Sequence, residues 1–198
     1  MSKRKFRNYE SDFLDEIVND FAIACKSKIS KQALFDMASQ VSWELTEWQG
    51  AIIGCPYWSE LAFSKLKLEN GKSDADGYTV YKRPSNKQLE EKYKGEVLHE
   101  HIVPRRLFTE YIIDCRDNKA ELDKTDFKKM ISCVIEKQEE NKKLDENFKS
   151  EMPGKKSLKE IENPWERYIK SEIKNIYEVI WDKKYIKVKR HDIENVKL

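Results

Sequence analysis

The sequence predicts an α+β fold that is predominantly helical, and three observations carry that expectation. Apolar residues recur at spacings of three and four through the first part of the chain, as at Phe13, Leu14, Ile17, Val18, Phe21, Ala22 and Cys25. Short runs with strand character come later, first "YTVYK" and then "LHEHIVP", Leu98 to Pro104. A chain of 198 residues with 39% hydrophobic content can bury one core, so a helical region (1–70), a connector (71–96) and a mixed region with a C-terminal helix (97–198) are expected to form one compact domain.

The first helix is expected from Tyr9 to Lys26, with Ser11 and Asp12 placed to cap it. A second follows Ser30, where Ala33, Leu34, Met37, Ala38 and Val41 form a stripe. Gly50 and the "GCP" at Gly54 to Pro56 break the pattern, and Pro56 suits the first turn of a helix from Tyr57 to Lys67. Trp43, Trp48 and Trp58 could stack bases, but their neighbours are apolar or acidic, which favours core packing.

Leu68 to Gln88 is rich in Gly, Ser, Asn and Asp and reads as loop, with "YTVYK" a short strand. After Pro104, Leu107, Phe108, Tyr111 and Ile112 share one face of a short helix. The stretch from Asp123 to Phe148 fits either one long helix or a helix, a strand at "SCVIEK" and another helix. Pro164 starts a last helix, Trp165 to about Tyr177, followed by an extended tail.

The 38 basic and 36 acidic side chains leave a net charge of +2, so no large uniform field is available to steer nucleic acid. Two local clusters stand out, "KRKFR" at Lys3 to Arg7 and "KKYIKVKR" at Lys183 to Arg190. The second alternates Tyr185, Lys187 and Lys189 with Ile186, Val188 and Arg190, as in a strand with one wet face, and is a candidate for nucleic-acid contact. Cys25, Cys55, Cys115 and Cys133 form no C-x-x-C pair and read as reduced, mostly buried thiols. No stretch approaches the ~18 continuous apolar residues of a membrane span, and a soluble, cytoplasmic protein without a membrane partner is expected.

The chemistry concentrates at "LHEHIVP". In an extended segment His99 and His101 share one face and Glu100 projects to the other. Two imidazoles so placed could bind one metal, or one could act as general base while the other orients a phosphate. Arg105 and Arg106 follow as phosphate-binding cations. Phosphate-binding glycine loops, nucleophile elbows and H-E-x-x-H are absent.

The string "EHIVPRRLF" resembles the opening of the HNH, or His-Me finger, nuclease motif, in which an acid, a His, an aliphatic pair and Pro end the first strand of a ββα-metal unit. The resemblance implies a small ββα-like unit around residues 97–148, with His101 as general base, Glu100 as ligand to a divalent ion (Mg²⁺ or Mn²⁺) and His99 as an accessory group. No histidine lies between His101 and His191, so Glu140 or Asn141 would complete the metal site at the start of the finger helix, and Asn118 would serve as an accessory loop asparagine.

The implied function is a metal-dependent endonuclease or nuclease-like effector acting on DNA or RNA, as in bacterial restriction or phage defence. The wider string, "GCPYWSE", "HEHIVP", "CVIEKQEE" and "NPWERY", is also similar to a bacterial family of hypothetical proteins. The residues equally allow a non-enzymatic interaction module, such as an antitoxin, immunity protein or regulatory subunit with a protein partner. There the histidines are structural and the aromatic-rich helical half is the working surface. Nonspecific DNA binding through the basic clusters is a third reading.

Overall fold

The structure, a computed structural model, describes residues 11–48, 52–93 and 95–196. The basic cluster Lys3 to Arg7 and Gly50 therefore lie outside the described residues, as does the side chain of Trp48. The chain opens with α1 (Ser11–Lys26) and α2 (Lys31–Trp48). The Ser30 hydroxyl accepts from the Ala33 amide at 3.1 Å, satisfying one of the orphan donors at the start of α2.

Then come β1 (Tyr57–Ser59), α3 (Glu60–Ser64), β2 (Lys72–Ser73), β3 (Thr79–Lys82) and α4 (Asn86–Tyr93). Next are β4 (Val97–His101), α5 (Arg105–Asp117), α6 (Lys124–Lys128), β5 (Ser132–Glu136) and α7 (Glu140–Phe148). The chain closes with α8 (Glu166–Lys170), β6 (Asn175–Trp181) and β7 (Tyr185–Asp192). Among the described residues no helix is long and apolar enough to cross a membrane.

The expectation of a predominantly helical fold is overturned. Among the described residues eight α-helices accompany seven strands, which form one mixed sheet in the order β2-β3-β7-β6-β1-β5-β4, a balance of α and β. Two local errors account for most of the difference. Pro56 leads into strand β1 and the helix expected over 57–67 shrinks to α3, because Tyr57, Trp58 and Ser59 pair with Glu178, Tyr177 and Ile176, and Trp58 also meets Val134 in parallel register.

The helix expected from Trp165 to Tyr177 stops at Lys170. Glu172 takes a left-handed conformation (φ 63°), and the β-branched and aromatic residues after it extend into β6. The stretch expected to be a connector carries β2, β3 and α4, with Gly77 supplying the left-handed turn (φ 78°) between the two strands. The strands at "LHEHIVP" and "SCVIEK" are present as β4 and β5 and pair antiparallel.

Three apolar clusters organise the molecule. Leu14, Phe21, Leu34, Leu45, Phe108 and Phe127 join α1, α2, α5 and α6 into a helical bundle beside β4, the last strand of the sheet. One sheet face carries Trp58, Val134, Val179 and Ile186, covered by Ala62, Leu66 and Leu89 from the α3 and α4 regions. The other carries Cys133, Ile135 and Ile176, covered by Leu144 of α7 and by Trp165 and Tyr168 at α8. Strand β4 therefore touches all three layers, which makes it the joint between bundle and sheet.

Candidate functional site

Register places the β4 side chains. His99 pairs with Val134 and His101 with Ser132, on the face shared with Trp58, whereas Glu100 pairs with Cys133, on the face covered by α7 and α8. His101 and Glu100 thus stand on opposite sides of the sheet.

His101 is 7% exposed and lies under the C-terminal half of α2. Its Nε2 and the Thr46 hydroxyl share a hydrogen bond of 2.9 Å. The edge of the Trp43 ring meets it at a centroid distance of 5.0 Å, and Trp43 also stacks on His99 at 6.4 Å. Burial, then the nearby His99, Arg105 and Arg167, holds the His101 imidazole down to about 3, so it is neutral at physiological pH.

Arg105 lies with its guanidinium 4.6 Å from the Trp43 ring centroid, donating to the Ser42 hydroxyl (2.9 Å) and to the Ser39 carbonyl (2.6 Å). It fastens α5 to α2. Arg106 is exposed and pairs with Glu110 at 3.7 Å one turn along the same helix.

On the other face Glu100 is ion-paired with Arg167, a residue at 1% exposure whose guanidinium also donates to the carbonyls of His101 (2.6 Å), Ile102 (3.1 Å) and Lys149 (3.0 Å). Burial raises the Glu100 carboxyl, and the Arg167 cation opposes that rise. Glu140 is buried at the start of α7, where its Oε2 accepts from the Ser59 hydroxyl and from the Glu136 amide (2.8 Å). Ser59 is also the cap of α3, accepting from Ala62, so Glu140 ties α7 to the β1–α3 junction. Asn141 donates to Asp145 at 3.1 Å on the outer side of α7, and Asn118 is an exposed residue ending α5.

These residues do not fit a divalent ion. Glu100 is neutralised by a guanidinium, Glu140 is engaged by a hydroxyl and an amide, Asn141 faces Asp145, and His101 sits across the sheet from all three. Among the described residues no group of three His, Cys, Asp or Glu side chains is close enough to hold a metal. The arrangement builds a polar joint: His101 and Arg105 secure the bundle to β4 from one side, and Arg167 secures α8 from the other.

Sequence reasoning missed Thr46, Trp43 and Arg167 as the partners of this stretch. Thr46 and Trp43 share a face of α2, a helical spacing of three, but nothing local shows that this face meets a strand. Trp58, expected in the core, is fully buried, whereas Trp43 keeps 40% of its surface in water. The third histidine, His191, to which the sequence assigns no role, bonds to Glu178 at 3.0 Å on the open side of β6 and β7. No family model, curated protein or solved structure matches the chain.

Proposed function

We propose that the chain is a non-enzymatic protein-interaction module, of the antitoxin, immunity or regulatory-subunit kind, in which the "LHEHIVP" histidines are structural. The observation that carries this reading is the apolar exposure of α1 and α2, where Ile23 (68%) and Phe35 (43%) stand in water and Trp43, though packed against β4, keeps 40% of its surface exposed. Three of the large apolar side chains exposed among the described residues fall on these two helices, and a docked partner would bury them. The engagement of His101, Glu100 and Glu140 in hydrogen bonds and ion pairs supports the same reading. The four free thiols, Cys25, Cys55, Cys115 and Cys133, fit a reducing, cytoplasmic site of action.

The test uses the purified chain as bait in extract of its own host, beside an Ile23→Glu/Phe35→Glu variant and a His101→Gln variant. A partner recovered by the wild type and by His101→Gln, lost with the double variant and reconstituted from purified components, is the expected result. Cleavage of plasmid or RNA by the wild type with Mg²⁺ or Mn²⁺, abolished by Glu100→Ala or His101→Gln in a folded protein, overturns it in favour of the nuclease.

A further inference from the structure

The two-sided sheet is covered unevenly. On one face β6 and β7 bury Val179, Ile186 and Val188 in the core. On the other, among the described residues, the apolar cover from α7 and α8 reaches Ile176 and goes no further along the sheet toward β7, β3 and β2. Register assigns what is left uncovered. Lys72 pairs with Val80, Val80 with Lys187 and Lys82 with Tyr185, so Lys72, Lys82, Tyr185, Lys187 and Lys189 share this face.

Tyr78 joins them, two residues before Val80, with Lys189 resting 5.3 Å from its ring centroid. Lys72, Lys82 and Tyr185 are exposed, and Tyr78, Lys187 and Lys189 are half-buried. At the rim a cleft of about 510 Å³ brings Lys82 together with Arg83 and Lys183, where β3 and the β6–β7 turn meet the first turn of α4.

We propose that this open face binds single-stranded RNA. Cations interleaved with aromatic rings on a bare antiparallel sheet suit an unpaired strand: the ammonium groups meet phosphates and the tyrosine rings offer stacking surface to bases. A duplex, whose bases already stack on one another, gains nothing from the rings. Three carboxylates, Asp74, Asp76 and Glu178, accompany the lysines. Asp74 pairs with Lys187 at 2.9 Å. Glu178 lies between the Tyr78 hydroxyl (3.1 Å) and His191 Nε2 (3.0 Å). That polar trio presents hydrogen-bonding groups to a ribose 2′-hydroxyl, which DNA lacks. The face lies on the sheet, away from the α1–α2 surface, so RNA and a protein partner can be bound independently.

The full chain is titrated against a fluorescein-labelled uridine dodecamer, the thymidine DNA of the same length and an RNA duplex, following anisotropy from low to physiological salt. The RNA single strand binds tightest. Lys82→Glu/Lys189→Glu weakens it by about ten-fold or more, and flattens the dependence of log affinity on log salt by roughly 0.7 for each lysine lost. Tyr185→Ala, a separate exposed change, weakens it by about five-fold or more. Circular dichroism verifies that the variants fold. Unchanged affinity in both variants, equal or tighter binding of DNA or duplex, or no RNA binding with loss of a protein partner in the lysine variant, overturns the proposal.

Discussion

Arg167 is ion-paired with Glu100 from beneath β4 while the same guanidinium caps the carbonyls of His101 and Ile102, so one side chain secures both the charge and the backbone where the strand ends. An arginine at 1% exposure holding four acceptors is more than a local contact. Its removal uncouples α8 from the edge of the sheet.

Arg167→Ala should therefore be among the most damaging single changes, costing about 3–5 kcal/mol because Glu100 and three carbonyls lose their partner in a mostly buried setting. Urea unfolding followed by tryptophan fluorescence measures it. A loss under about 1 kcal/mol would show that the pairing is incidental.

His101 makes stability depend on pH with a definite sign. The unfolded histidine titrates at 6.5 and the folded one near 3, so the folded chain disfavours the proton. The stabilisation from neutral His101 is complete above pH 6.5 and is lost as pH falls from there toward about 3, by up to about 1 kcal/mol per unit. Urea midpoints should fall more steeply on going from pH 7 to pH 4 for the wild type than for His101→Gln. Parallel curves would contradict the assignment.

Thr46→Val removes the hydroxyl that faces the same ring, with little change in shape. It leaves a buried imidazole nitrogen short of a partner and should cost about 1–3 kcal/mol. Thermal unfolding reads the change, and the Thr46→Val/His101→Gln pair should be less than additive if the hydrogen bond is the link.

Ser59→Ala acts at two places, removing the α3 cap and the donor to Glu140. A loss of about 2 kcal/mol is expected, with amide exchange quickening at the start of both α3 and α7. Faster exchange in α3 alone would mean that Glu140 does not tie the helices together.

Thiol chemistry checks the layering. Cys55 and Cys133 are fully buried, and burial pushes the Cys55 thiol up to about 11, whereas Cys25 is only half-buried. Iodoacetamide on the native chain should label Cys25 first and reach Cys55 and Cys133 only on unfolding, as read by peptide mass mapping.

Helices α1, α2 and α5 and strand β4 were legible because each announces itself within its own span: a 3.6-residue apolar stripe in the helices, and β-branched residues before a proline at "LHEHIVP". Strand β1 was not legible, since three residues after a proline carry no period, and Tyr57 to Ser59 become a strand only because β5 and β6 flank them. The alternation in "KKYIKVKR" was readable as a half-wet strand and "YTVYK" as a short one; that the two would pair, lining Tyr78 and Lys82 up beside Lys189 and Tyr185, was not, because nothing within either span names its neighbour. The histidine pair was visible as a chemical possibility. What the sequence did not show was the set of partners, supplied from α2 and α8, that engage His101 and Glu100 on opposite sides of the sheet.

Strand β1 also governs when the sheet can close. Trp58 leaves the ribosome long before Val134 and Tyr177, the residues it lies between, have been synthesised. The growing chain must carry Trp58 without its strand neighbours until more than a hundred further residues have been made, so sheet closure is a late, long-range event. A cell that stalls translation midway would release a fragment whose central strand has no neighbours.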